Sequence, residues 1–221
     1  MIKSHNYFTS SIGKKQVMAL TGLGLLGFTA THLLGNILIL GGADMFNMYA
    51  HVLTSNNAIY VAEAGLFGMF VLHIVLAVII KLQNVGARPH GYYVKMKTGR
   101  GETFASSTMA LTGLLLLVFI ILHLLNFKYG SNYPVTVDGV QIRDLYRTVI
   151  EYFRNPLYVA WYVFAMAALG LHTSHGFQSM FQTWGLNHKK YTPIVQMLAS
   201  AYGLFVASGF SLLAIYCHFQ N

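Results

Sequence analysis

Long apolar blocks alternate with short polar connections along the 221 residues of the chain. A helix needs roughly 20 apolar residues to cross a bilayer core of about 30 Å. Five blocks reach that length, at about residues 16–40, 57–82, 103–127, 156–181 and 193–218. The pattern predicts an all-α integral membrane protein with five transmembrane helices, and we expect residues 1–221 to form a single transmembrane domain. The first block is too long for a signal peptide and lacks a small-residue cleavage site, so we expect it to be retained.

Composition narrows the possible function classes. The chain is 55% hydrophobic and only 9% charged, whereas the surface of a soluble protein is about 25–35% charged. This difference excludes a soluble enzyme. The single cysteine, Cys217, excludes an intramolecular disulfide and any iron–sulfur or thiolate zinc site built from this chain alone.

The distribution of charge predicts the orientation of the chain. The net charge of +8 comes from cations clustered between the apolar blocks, which indicates membrane topology rather than nucleic-acid binding. Ten of the fourteen Lys and Arg residues fall on the side of the N-terminus and four on the other side. By the positive-inside rule, the N-terminus is expected to be cytoplasmic and the C-terminus to lie outside.

The longest outer connection carries apolar residues at helical spacing, which predicts a short helix lying on the outer surface. A plain amphipathic cap explains this helix without a further function. The apolar residues concerned are Ile142, Leu145, Tyr146, Val149, Ile150 and Phe153. We expect no internal repeat in the chain.

Histidines lie inside four of the five apolar blocks, and polar residues at such positions usually mark a function. His32 and His123 lie late in outward-going helices, and we call them the outer pair. His73 and His172 lie roughly 13 Å from the inner ends of their helices at 1.5 Å per residue, and we call them the inner pair. His175 follows His172 by three residues and is the alternative ligand in the fourth helix.

Two facing imidazoles at one depth are what a low-spin b-type haem requires, so two pairs predict two haems in a bundle of the first four helices. A single intramembrane histidine is more often a hydrogen-bonding residue of the helix interface, but four in matched layers favour ligation. A zinc site needs ligands that converge on one point, which two separate layers cannot supply. Glycines in these helices, which leave room for a flat macrocycle, are consistent with the haem hypothesis but also serve close helix packing.

Several segments of the chain resemble the dihaem cytochrome b membrane-anchor subunit of succinate:quinone oxidoreductases and quinol:fumarate reductases, of the type with one five-helix chain. The resemblance covers nearly the whole sequence and includes the pattern of one histidine per helix. The segments that carry it are SSIGKKQVMALTG, HLLGN around His32, FNMYAHVLTS, and HGFQSMFQTWGLN at the end of the fourth helix.

The resemblance implies that His73 and His172 hold an inner haem b and that His32 and His123 hold an outer one. It implies a bacterial inner (cytoplasmic) membrane location, with a flavoprotein subunit and an iron–sulfur subunit on the cytoplasmic side. The chain has no dinucleotide motif or soluble domain, so it is not expected to act on succinate or fumarate by itself. Its expected part is electron transfer between the iron–sulfur subunit and membrane quinone, with menaquinone favoured.

Glu63 is the candidate for quinone proton transfer, because it lies near the outer end of the second helix, about ten residues outward of His73. A carboxylate there could exchange protons with the outer phase. An acid near a helix start is equally explained by the helix dipole. His51 and Asn36 are weaker candidates on the same side.

Cations at the inner boundary are candidates for contacts with haem propionates, although positive-inside anchoring explains them better. The polar residues concerned are Lys14, Lys15, Gln16, Lys189 and Lys190. The cationic stretch from Arg88 to Arg100, with Tyr92 and Tyr93, is expected to dock the iron–sulfur subunit or to bind lipid head groups. Two alternative functions remain: a dihaem anchor of another quinone-reactive oxidoreductase, and a haem-free membrane transporter whose histidines are structural.

Overall fold

The computed structural model describes residues 10–87 and 107–220. Within these ranges five helices are long and apolar enough to cross a membrane, which confirms the prediction of an all-α membrane protein with five spans. The spanning helices are α1 (Ser11–Ile37), α3 (Ala58–Gly86), α4 (Met109–His123), α6 (Pro156–Thr183) and α7 (Thr192–His218). Residues 103–106 of the predicted third span lie outside the described residues.

The connections on the side away from the N-terminus, which we call the outer side, hold a short helix and a hairpin that the apolar pattern did not predict. After α1, a 3-10 turn (Leu38–Gly41) leads into the short helix α2 (Ala43–Ser55). After α4, a π-helical turn (Leu124–Lys128) precedes an antiparallel hairpin of β1 (Pro134–Val137) and β2 (Val140–Arg143) and then helix α5 (Leu145–Phe153). The short helix predicted in this connection is therefore present, but Ile142 belongs to strand β2 rather than to the helix.

Local side chains fix where the spanning helices begin. The Ser10 hydroxyl accepts a hydrogen bond from the Gly13 amide at 3.0 Å and caps α1. Asn155 caps α6 by accepting from the Leu157 amide at 2.9 Å, and Pro156 occupies the first turn, where its missing N–H costs nothing. These caps satisfy amide groups that have no partner within the helix.

The spanning helices form a four-helix arrangement with α7 added on one side. Helix α1 packs against α3 and α6, and α4 packs against α6. Helix α7 packs along α6 and also touches α1. The central helix is α6, whose most apolar stretch is 33% buried inside the protein, whereas the corresponding stretch of α3 is only 6% buried and faces outward.

The contact between α6 and α7 depends on glycine. A Cβ placed on Gly170 would lie 2.8 Å from both the Gly203 carbonyl oxygen and the Ala207 Cβ, closer than atoms can approach. The two backbones therefore meet only because these positions lack side chains, as in other membrane helix pairs. Helix α7 also contacts α1, since the Tyr202 hydroxyl donates to the Leu26 carbonyl at 2.6 Å.

The opposite side of the arrangement is open. Among the described residues, the backbones of α3 and α4 do not pack closely against one another. They are joined instead by an ion pair between Glu63 on α3 and Lys128 at the end of α4. The four-helix arrangement thus has one side covered by α7 and one side bridged by side chains near the outer surface.

Asn47 ties the outer connections together. Its side chain is 1% exposed, donates to the Asp144 carboxylate at 2.8 Å and accepts from the Tyr146 amide at 2.8 Å. Asp144 also caps α5 by accepting from the Arg147 amide at 2.9 Å. One buried amide group therefore joins α2 to the start of α5.

The other parts of the outer connections are fixed by a tight turn and by the end of α7. The hairpin turns at Asp138 and Gly139, whose φ angles of 49° and 78° match the left-handed turn preferred in two-residue hairpins. The His218 ring nitrogen lies 2.8 Å from the Phe153 carbonyl. Arg147 donates to Glu151 and holds the pKa of that carboxyl below its usual range, with a further contribution from Tyr133.

We expect Asn47→Ala to destabilise the protein by about 1–3 kcal/mol, because it leaves the partly buried Tyr146 amide without its partner. Thermal unfolding of the purified protein in detergent measures this loss. Asn57→Ala is the matched control, since Asn57 is exposed and makes no capping hydrogen bond with its side chain. Equal melting temperatures for the two variants would contradict the proposed role of Asn47.

Candidate functional site

The inner pair comes from two helices that do not neighbour each other. His73 lies on α3 and His172 on α6, and their ring centroids are 6.5 Å apart. Both rings are half-buried. The two imidazoles face each other across the interior of the four-helix arrangement, between helices that each pack against α1.

Each ring of the inner pair is held by a threonine on an adjacent helix. The Thr21 hydroxyl lies 3.2 Å from His73 Nδ1, and the Thr112 hydroxyl lies 3.1 Å from His172 Nδ1. A hydrogen bond at Nδ1 leaves Nε2 as the nitrogen that can bind a metal. The two contacts therefore prepare both rings for the same coordination.

The outer pair has a different environment. The ring centroids of His32 on α1 and His123 on α4 are 5.8 Å apart. His123 Nδ1 lies 3.0 Å from the Tyr162 hydroxyl, and the Asn36 amide nitrogen lies 3.4 Å from His32 Nε2. The Phe127 ring packs against His123 on the outer side, with the two ring centroids 5.2 Å apart.

The two pairs form separate layers along the helices. Thr21, which contacts the inner pair, and His32, in the outer pair, are eleven residues apart on α1, or about 16 Å at 1.5 Å per residue. The same spacing separates Thr112 from His123 on α4. The layers are thus separated by roughly half the thickness of a bilayer core.

The ring separations fit a metal ion held between two imidazoles. Metal–imidazole bonds of about 2.1 Å and ring radii of about 1.1 Å place the ring centres roughly 6.4 Å apart. The inner pair, at 6.5 Å, matches this value, and the outer pair, at 5.8 Å, is slightly closer. Within the described ranges no group of three or more His, Cys, Asp or Glu side chains is placed to hold a metal ion.

His175, the alternative ligand, is placed differently. The ring that faces His73 is that of His172, which also has the threonine partner. His175 Nδ1 is buried and has no hydrogen-bond partner among the described residues. The geometry therefore favours His172 as the partner of His73.

Glu63 forms an ion pair with Lys128, and both side chains are partly exposed. A structural role for the Glu63 carboxylate requires a compensating partner of this kind. The carboxylate nevertheless lies at the outer end of α3, where the predicted proton transfer requires it. Asn36 lies beside His32 and donates to the His32 carbonyl at 2.8 Å. His51 lies on α2, outside the spanning helices.

The candidate residues of the inner boundary lie at the two helix ends expected from the sequence. Lys14, Lys15 and Gln16 belong to the first turns of α1, and Lys189 and Lys190 lie in the turn between α6 and α7. The predicted docking stretch from Arg88 to Arg100, with Tyr92 and Tyr93, lies outside the described residues.

Comparison with known families identifies the chain. The family model of the succinate dehydrogenase/fumarate reductase transmembrane subunit matches residues 87–214, more than half of the sequence. The chain belongs to this family. The resemblance seen in the sequence is thereby confirmed. No curated protein and no solved structure matches the chain.

The matched part of this transmembrane subunit contains His123 and His172 but not His32 or His73. The matched part and the part before it share an internal repeat. Residues 18–34 and 109–125 are identical at twelve of seventeen positions. The expectation that the chain has no internal repeat is therefore wrong. The repeat aligns His32 with His123 and Thr21 with Thr112.

Three hydrogen-bond partners of the histidines were not predicted from the sequence: Thr21, Thr112 and Tyr162. The repeat would have revealed the two threonines. The motif MALTG occurs in both copies, and in each copy its threonine precedes a histidine by eleven residues. No pattern in the sequence indicates Tyr162, since its contact with His123 joins residues 39 positions apart.

Proposed function

We propose that this chain is the membrane-anchor cytochrome b of a succinate dehydrogenase or fumarate reductase complex and carries electrons through two b haems. The observation that carries the proposal is the presence of two facing histidine pairs in separate layers of a chain from this family. His73 and His172 would hold the inner haem, and His32 and His123 the outer one. Two bound b haems would supply one-electron transfer across the membrane interior.

The chain's own residues orient the ligands and exclude water. Thr21 and Thr112 hold the inner-pair rings at Nδ1, and Tyr162 lies at the corresponding atom of His123. Phe28 stacks on His32 with ring centroids 5.2 Å apart. Phe119, at the equivalent position of the repeat, stacks on His123 at 5.7 Å. Aromatic neighbours thus pack on both rings of the outer pair.

Membership of this family supports soluble partner subunits. Oxidation of succinate to fumarate releases two electrons and two protons, and reduction of a quinone to a quinol takes up two of each. A cytoplasmic flavoprotein subunit would perform the first reaction, and an iron–sulfur subunit would pass its electrons to this chain. The excess of cations on the N-terminal side supports a cytoplasmic N-terminus in a bacterial inner membrane.

The quinone site, with menaquinone as the favoured substrate, would lie near the outer pair. Two features support this position: the open side between α3 and α4 gives access from lipid, and Glu63 stands at its outer end, paired with Lys128. The carboxylate would exchange a quinone proton with the outer phase when the ion pair opens.

The proposal is tested first by the haem content of the purified complex. We expect a reduced-minus-oxidised spectrum of b-type haem and two haems per copy of this chain. A complex without haem would favour the transporter hypothesis. Two haems without a succinate-oxidising partner in the purified complex would favour an anchor of another quinone-reactive oxidoreductase.

Replacing one inner ligand should remove one haem. We expect His73→Ala and His172→Ala each to lower the haem content from two to one per chain, because ligation of the iron needs both imidazoles. Haem extraction and the spectrum of the assembled complex measure this change. His175→Ala is the matched control, three residues along the same helix, and should retain two haems; loss of a haem in this control would identify His175 as the ligand instead.

Two variants separate proton transfer by Glu63 from its ion pair. We expect Glu63→Gln to lower quinone-coupled turnover by about a hundredfold or more, with both haems and succinate–dye activity unchanged. Lys128→Met breaks the same ion pair but keeps the carboxylate, so it should retain most of the quinone turnover. Equal losses in the two variants would show that only the ion pair matters, and normal turnover in Glu63→Gln would exclude the proton-transfer role.

A further inference from the structure

A threonine–glycine pair meets the ring of each inner-pair histidine. In the first copy of the repeat, a Cβ on Gly22 would lie 3.5 Å from His73 Cε1, and the Thr21 hydroxyl lies 3.2 Å from Nδ1 of the same ring. In the second copy, a Cβ on Gly113 would lie 3.4 Å from His172 Cε1. Each imidazole thus lies beside a glycine, at a distance where a Cβ would only be in van der Waals contact, and the neighbouring threonine meets its nitrogen.

The direction of these hydrogen bonds follows from the other contacts of the hydroxyl groups. Thr21 donates to the Met18 carbonyl at 2.9 Å, and Thr112 donates to the Thr108 carbonyl at 3.1 Å. A hydroxyl has one proton, so each oxygen is left to accept from the histidine Nδ1–H. These contacts match the tautomer in which Nδ1 carries the proton and Nε2 is free of one.

One helix face serves both layers. Thr21 and His32 are eleven residues apart, which is about three turns at 3.6 residues per turn, so they point to the same side of α1. The same relation holds for Thr112 and His123 on α4. Each copy of the repeat contributes a ligand to the outer layer and a hydrogen-bond acceptor to the inner layer.

The outer layer lacks this symmetry. His123 Nδ1 meets the Tyr162 hydroxyl, whereas His32 has the amide of Asn36 nearby. An acceptor at Nδ1–H increases the electron density that an imidazole gives to its metal. The inner pair has two equivalent threonine acceptors, and the outer pair has two unlike partners.

We propose that Thr21–Gly22 and Thr112–Gly113 are matched positioning elements that fix the tautomer and ring orientation of His73 and His172 and thereby lower the reduction potential of the inner haem independently of the outer one. The inference rests on the proposed dihaem function. It concerns residues that act through the ligands and do not contact the iron. Their effect is on the ferric state, which a more electron-rich imidazole stabilises.

The test uses the assembled complex and a redox titration that resolves the two haems by absorbance and by their low-spin ferric EPR signals. We expect Thr21→Val and Thr112→Val, which are nearly isosteric changes, each to raise the midpoint potential of the inner haem. The double variant should show about the sum of the two shifts, and the outer haem should be unchanged. Thr21→Ser and Thr112→Ser keep the hydroxyl and should restore the native potential.

Thr29→Val is the matched control. Thr29 also lies on α1, but its hydroxyl donates to a carbonyl of the same helix, that of Leu25, at 2.8 Å. It should leave both potentials unchanged. The inference is overturned if the Val variants at positions 21 and 112 shift neither haem, shift both equally, or lose both haems together. Native protein without two b haems would instead overturn the proposed function, and this inference with it.

Discussion

A neutral imidazole in a membrane interior needs a partner for each of its two nitrogens, because no water is present to supply one. Five histidines of this chain lie within the described spanning segments, away from their ends, and three of them have a hydroxyl at Nδ1, whereas His175 Nδ1 has no partner among the described residues. A ring with a hydroxyl at Nδ1 keeps Nε2 for a second partner. In the proposed dihaem function, a haem iron would be that partner.

The helix arrangement brings histidines from opposite corners of the bundle together in pairs. Helices that neighbour each other, such as α1 and α3, supply a histidine and its threonine partner. Helices at opposite corners, such as α3 and α6, supply the two histidines of one layer. A repeated helix contributes to both layers, because one sequence places a threonine and a histidine three turns apart on the same face.

Much of the fold was predictable from hydropathy, since a spanning helix needs a length of apolar sequence that few other elements share. The five spans and the depth of each histidine followed from this length alone. Helix α2 was missed because its thirteen residues are too short for a span, and Asn47 is buried by a contact with Asp144, 97 residues away. The threonine contacts also join different helices, so spacing within one helix could not reveal them. The repeat was visible in the residues themselves, but comparison of block lengths does not detect identity between blocks.

Helix α7 gives the protein two unlike edges in the plane of the membrane. The edge formed by α1 and α6 is closed, because α7 lies along it and approaches α6 through Gly170 and Gly203. The edge formed by α3 and α4 has no covering helix among the described residues. A lipid-soluble molecule that diffuses laterally therefore meets a wall from one direction and an opening from the other. Helices α1 and α6 pack directly against each other, and α7 covers them, so the rotational position of the protein in the bilayer decides the direction from which such a molecule arrives.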